Sequence, residues 1–121
     1  MVKYIKASLD DIPDENKGGN CFKVAVDTLL EHPDYTLVHA VVSGQGAIEG
    51  IQYTHAFCVD KKSNTVIDNT QSGSNRKLPA DLYYLLGNIE ISREYTYKEA
   101  LDNLLKYKHY GPWDSVFNNY Y

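Results

Sequence analysis

Between Asn20 and Asp68 the apolar residues change their spacing, and that change restricts the chain to a fold that mixes helix with sheet. Phe22, Ala25, Val26, Leu29 and Leu30 recur at three- and four-residue intervals, which predicts an amphipathic helix over residues 21 to about 31. Asn20 is of a type suited to the N-cap, and His32-Pro33 stops the repeat. Thr36–Ser43 (TLVHAVVS) is rich in β-branched residues and halts at Gly44-Gln45-Gly46, which marks a strand and a turn. In residues 51–59 (IQYTHAFCV) the period is two: Ile51, Tyr53, His55, Phe57 and Val59 share one face, and Gln52, Thr54, Ala56 and Cys58 the other. Thr65–Asp68 follows Asp60–Asn64, a short polar connection suited to an antiparallel hairpin. The expected architecture is α+β, a helix packed on a small antiparallel sheet.

The hairpin carries a specific expectation. Pairing Val59 with Asn64 across the Asp60–Ser63 loop sets His55 directly opposite Asp68, with Cβ atoms about 4.5–5.5 Å apart. A slip of one residue would turn the two side chains to opposite faces. Further along, Leu78–Leu86 reads as a short helix ended by Gly87, and Ile89–Ser92 as a strand. Thr96-Tyr97-Lys98-Glu99 has the capping-box pattern. Ala100, Leu101, Leu104 and Leu105 continue it as a helix to about Lys108, closed by Gly111-Pro112. The segment after Trp113 packs either on this domain or on a partner.

Length and composition narrow the function classes. The chain has 121 residues, 43% hydrophobic and 23% charged, which suits one folded domain over residues 1–121. Its net charge is -4 and its pI about 5.5, and the lysines are scattered among carboxylates, so a phosphate-binding footprint for nucleic acid is not expected. The first ten residues lack the apolar core of a signal peptide and no stretch has the length of a membrane span, so no membrane partner and a cytoplasmic location are expected. There Cys21 and Cys58 are reduced, and each needs a role other than a disulfide. The 11 tyrosines read as packing residues with a wet hydroxyl.

Three residues together suggest chemistry. A cysteine in the first turn of a helix meets unpaired backbone N–H groups that favour a thiolate, and Cys21 is so placed. A sulfur nucleophile needs an imidazole to pair with it and carry a proton to the leaving group; His55 is the candidate. The imidazole needs an acceptor on its other nitrogen to fix tautomer and orientation, and Asp68 can supply it. Singly, each residue has a plain structural reading; a helix-start cysteine, a mid-strand histidine and a cross-strand aspartate together favour a triad.

These residues also sit in a familiar order. Gly19-Asn20-Cys21-Phe22 with Ala25 resembles the Gly-x-Cys-aromatic motif of papain-like and transglutaminase-like thiol enzymes. Val42-Ser43-Gly44, His55-Ala56-Phe57 and Asp68-Asn69-Thr70 resemble the Val-x-Gly, His-Ala-aromatic and Asp-x-Thr elements of the transglutaminase-like superfamily. The likeness spans about residues 18 to 71. It implies a papain-like or transglutaminase-like core, with Cys21 as nucleophile, His55 as general base and acid, and Asp68 as orienting group. It also implies amide hydrolysis or acyl transfer on a peptide, protein or small amide, without a cofactor. Phe57 stands where tryptophan is frequent, and Glu15 where papain-like enzymes carry glutamine. The oxyanion hole therefore has one expected donor, the Cys21 backbone N–H, with Asn16, Asn20 and Gln45 as candidates for the second.

A metal centre is not expected. Cys21, His39, His55, Cys58 and Asp68 are of types zinc accepts, but His55 and Cys58 point to opposite faces of one strand. Cys58 then reads as a buried thiol, His39 as structural, His32 as a helix-end residue, and His109 as a favourable charge near a helix C-terminus. Hydrolysis is preferred to crosslinking because so short a chain has little room for a second, amine-specific pocket. The alternative is a catalytically silent module that keeps the scaffold and binds a protein partner; a capsid or assembly role has only small size in its favour.

Overall fold

The structure is a computed structural model that describes residues 20–43, 50–71 and 73–120. Helix α1 (Asn20–Glu31) buries Phe22, Ala25, Val26, Leu29 and Leu30, the stripe set by their spacing. Asn20 is the helix's first residue rather than its cap. Strands β1 (Thr36–Ser43), β2 (Gln52–Asp60), β3 (Thr65–Ile67), β4 (Lys77–Pro79) and β5 (Ser92–Tyr95) form one sheet in the order β4-β3-β2-β1-β5, each neighbouring pair antiparallel. Helices α2 (Ala80–Leu86) and α3 (Tyr97–Tyr107) complete the α+β architecture.

The sheet is covered on both faces. On one, Leu37, Ala56 and Cys58 pack against Phe22, Ala25 and Leu29 of α1 and Ala100 of α3. Val26 and Leu30 extend that layer to Leu101 and Leu104. On the other face Val38, Ala40, Val42, Phe57, Val59 and Val66 lie under Ala80, with Tyr83, Tyr84 and Ile89 around them. A central strand covered on both sides has no wet face, which is why β1 is buried from Leu37 to Val42 and reads as a continuous apolar run. Among the described residues no helix is long and apolar enough to cross a membrane.

The hairpin register differs from the expected one. Val59 pairs with Val66, not Asn64, and Asp60 closes the loop against Thr65. The connection keeps its length but moves one residue along, to Lys61–Asn64. Two local preferences fix it there. Asn64 has φ 52°, a left-handed conformation that asparagine tolerates in a turn and that a strand cannot use. Asp60 Oδ1 accepts the Lys62 N–H at 3.1 Å, a side-chain turn that starts the reversal at Asp60.

Other boundaries shift too. β5 begins at Ser92 rather than Ile89, because its partners are Leu37–Ala40 of β1. Leu78 and Pro79, expected to open a helix, instead pair with β3 in β4 before α2 begins at Ala80. Helix α3 has its capping box, with Thr96 accepting from the Glu99 N–H and Glu99 accepting from the Thr96 N–H. It stops at Tyr107, where Lys108 takes the left-handed closing position (φ 58°) ahead of Gly111-Pro112. The tail packs on its own chain. Phe117 is fully buried, Trp113 Nε1 donates to the His109 carbonyl at 2.9 Å, and the Tyr120 carbonyl accepts from the Thr54 N–H at 2.9 Å.

Candidate active site

The two faces of β2 go to different partners. Cys58 faces α1, where its thiol donates to the Ala25 carbonyl at 3.2 Å; burial pushes that thiol up to about 12 and leaves it un-ionised. His55, three residues earlier, lies on the α2 side with Phe57 and Val59. The pair cannot share an ion.

His55 is joined to Asp68 through a buried hydrogen bond, Nε2 to Oδ2, of 2.7 Å. They are not direct cross-strand partners. Continuing the observed register places Asp68 opposite Phe57 and His55 two residues away on the same face, a diagonal that an imidazole and a carboxylate span. Asp68 is 1% exposed and its oxygens are fully engaged. Oδ1 accepts the Thr70 N–H at 3.1 Å and the Thr70 hydroxyl, while Oδ2 also accepts the Tyr83 hydroxyl at 2.7 Å. Burial would raise this carboxyl. The hydrogen bonds and charge of His55, with Thr70 and Tyr83, outweigh it and hold Asp68 down at about 2.

Cys21 lines the same cleft as the ring, and its sulfur acts on the imidazole. With Nε2 committed to Asp68, Nδ1 is the nitrogen available to it. Burial alone would pull the imidazole down, yet the hydrogen bonds and charges of Asp68 and Cys21 prevail and raise His55 to about 9. The site therefore favours the protonated imidazole over the neutral one.

The sulfur reaches this ring because the sheet is incomplete beside it. Of β2, only Cys58–Asp60 pair with β3, so from Gln52 to Phe57 no strand lies on that side of β2 among the described residues. The tip of α1 meets the open edge there. A cleft of about 550 Å³ results, lined by Asn20, Cys21 and Val24 of α1, by Tyr53, Thr54 and His55 of β2, and by Asn69, Thr70 and Gln71 after β3. Asn69 is held by its side-chain N–H to Thr28 Oγ1 at 2.8 Å, which ties the turn after Asp68 to the back of α1.

Of the residues singled out by sequence, Cys21, His55 and Asp68 come together and Asn20 lines the same cleft. Asn16 and Gln45 lie outside the described residues. Sequence reasoning missed Tyr83 and, at the cleft wall, Tyr53, Asn69 and Gln71. Thr70 had a local signal, since an aspartate two residues before a hydroxyl residue forms a side-chain turn. Tyr83 had none; it is one of 11 tyrosines and arrives from α2, 15 residues beyond Asp68 in the chain. His39 is structural, fully buried against Phe22, Tyr95, Trp113 and Phe117. His32 follows α1 and stacks on Tyr35, and His109 Nδ1 accepts the Gly111 N–H at 3.1 Å. Comparison with protein-family models, with curated proteins and with solved structures finds no match.

Proposed function

We propose that this protein is a cysteine-dependent amide hydrolase in which Cys21 is the nucleophile, His55 the proton carrier and Asp68 its anchor. One observation carries the reading: a buried imidazole has a carboxylate on one nitrogen and shares a cleft with a helix-tip sulfur. The order and spacing of the three residues, and their resemblance to transglutaminase-like and papain-like enzymes, support it further.

In the proposed cycle the Cys21 thiolate adds to the carbonyl carbon of the amide, forming a C–S bond while the C=O electrons move to oxygen. The Cys21 backbone N–H at the start of α1 is one donor for that oxyanion, and the Asn20 side chain lines the same cleft. The intermediate collapses as the C–N bond breaks, and His55 gives its proton to the departing amine. Water then adds to the thioester with His55 taking its proton, the acid leaves, and the sulfur is restored as the thiolate beside the imidazolium. Asp68 moves no proton in this scheme. It stabilises the imidazolium and fixes its orientation.

Replacing water with an amine at the thioester would give acyl transfer by the same residues. Hydrolysis is preferred because so short a chain has little room for a second, amine-specific pocket.

The test is labelling by an electrophilic thiol probe. Folded protein should be modified at Cys21, and the rate should fall about a hundredfold or more in His55→Ala. Equal rates for folded and denatured protein would favour a silent binding module instead.

A further inference from the structure

The open edge of β2 presents its main chain in a fixed direction. In the Val41–Thr54 pair the amides point away from each other: Val41 N–H donates to the Ile91 carbonyl at 2.9 Å, on the β5 side. Thr54 N–H therefore points outward, toward the edge that β3 leaves uncovered. The group that takes it is the Tyr120 carbonyl at 2.9 Å, with Thr54 Oγ1 at 3.4 Å from the same oxygen. A main-chain carbonyl from 66 residues further along is thus seated on the residue next to His55. Thr54 itself lines the cleft with Cys21 and His55. On the rim, Tyr53 and Ile51 are 37% and 55% exposed, two large apolar side chains beside the same edge.

We propose that this edge is a docking rail for an extended polypeptide, which adds to β2 by giving a main-chain carbonyl to Thr54 N–H, and that the Tyr120 carbonyl occupies that donor as an internal competitor. The inference rests on the thiol-hydrolase reading and narrows its substrate from any amide to a polypeptide strand. A small amide has one carbonyl, and at the reacting position that carbonyl is committed to Cys21, which leaves none for Thr54 and nothing with which to displace the tail. A peptide strand replaces the Tyr120 hydrogen bond with an equivalent one and sets its side chains alternately toward Tyr53 and toward the tip of α1.

The test compares the full chain with one shortened after Phe117, so that the buried Phe117 anchor is kept. The probe is a synthetic peptide of residues 116–121, alongside the same peptide with an ester in place of the amide after Tyr120, which weakens that carbonyl as an acceptor. The shortened chain should bind the peptide about tenfold or more tightly than the full chain, since the tail no longer competes at its high effective concentration. The ester should bind more weakly, and bound peptide should slow probe labelling of Cys21. Equal affinity for both chains, or for peptide and ester, overturns the proposal. Should the shortened chain not fold, the full chain decides: millimolar peptide must shift the Thr54 and Tyr120 amide resonances together, and no shift in either overturns it. Loss of peptide binding with His55-dependent labelling intact would remove the rail and spare the thiol site. Labelling indifferent to His55 with binding intact would do the reverse.

Discussion

Asp68 reaches His55 at 2.7 Å from a position two residues off its cross-strand partner, held there by Thr70 on one oxygen and Tyr83 on the other. The contact therefore depends on how the carboxylate is aimed. Asp68→Asn keeps the shape and removes the charge, so the His55 ring should lose its raised value and the labelling or turnover rate should fall about a thousandfold. Steady-state rates with the folded variant check this.

Tyr83 is a positioning residue in this account, because it touches Asp68 and not the cleft. Tyr83→Phe removes one hydrogen bond to a buried anion and should cost about 1.5–3 kcal/mol of stability. Its more specific signature is the acid limb: Asp68 should titrate higher in the variant, visible by carboxyl NMR. A purely structural tyrosine would lower the melting temperature and leave that carboxyl where it was.

Stability should peak near neutral pH because two buried histidines pull in opposite directions. His55 is raised to about 9. Below the unfolded value of about 6.5 its contribution is complete; it is lost as pH rises through 9, on the order of 3 kcal/mol across that window. His39 is lowered to about 3, chiefly by burial and secondarily by His109. Neither of its ring nitrogens has a partner among the described residues. The folded state holds it neutral while the unfolded chain takes up a proton, so stability falls as pH drops from about 6.5 toward 3, by on the order of 4–5 kcal/mol. Asp68, held down at about 2, adds to the loss at the acid end. Denaturant melts across pH check the bell, and His39→Phe should flatten its acid side while leaving the alkaline side unchanged.

Gly111→Ala should be strongly destabilising. Gly111 has φ 124°, outside the range L residues favour, and an added Cβ would lie 2.5 Å from His39 Cε1 and 3.1 Å from Phe22 Cδ1. Overpacking plus backbone strain puts the expected loss at about 2–5 kcal/mol. Because Phe22 neighbours Cys21, a thermal melt paired with probe labelling would show both effects.

Much of this was legible in the sequence, for reasons tied to particular residues. The α1 stripe, the period-two run of β2 and the Thr96 capping box follow from strong local patterns, and each element stands where it was expected. The hairpin register was misplaced because an apolar pattern fixes only which residues share a face; a shift by two keeps every face. Asn64 and Asp60, through turn geometry, decided it. β4 was hidden because its three residues pair through their main chain with β3 and carry no periodic signal. Tyr83 and the tail's contact with Thr54 are long-range choices that no local pattern encodes.

The most direct measurement is imidazole nitrogen NMR of His55 through the neutral and alkaline range, in the unaltered chain and in Cys21→Ala. The ring should still be protonated at neutral pH and titrate near 9, and titrate lower once the sulfur is gone. A ring that titrates near the ordinary value of about 6.5 and ignores the loss of Cys21 would contradict it.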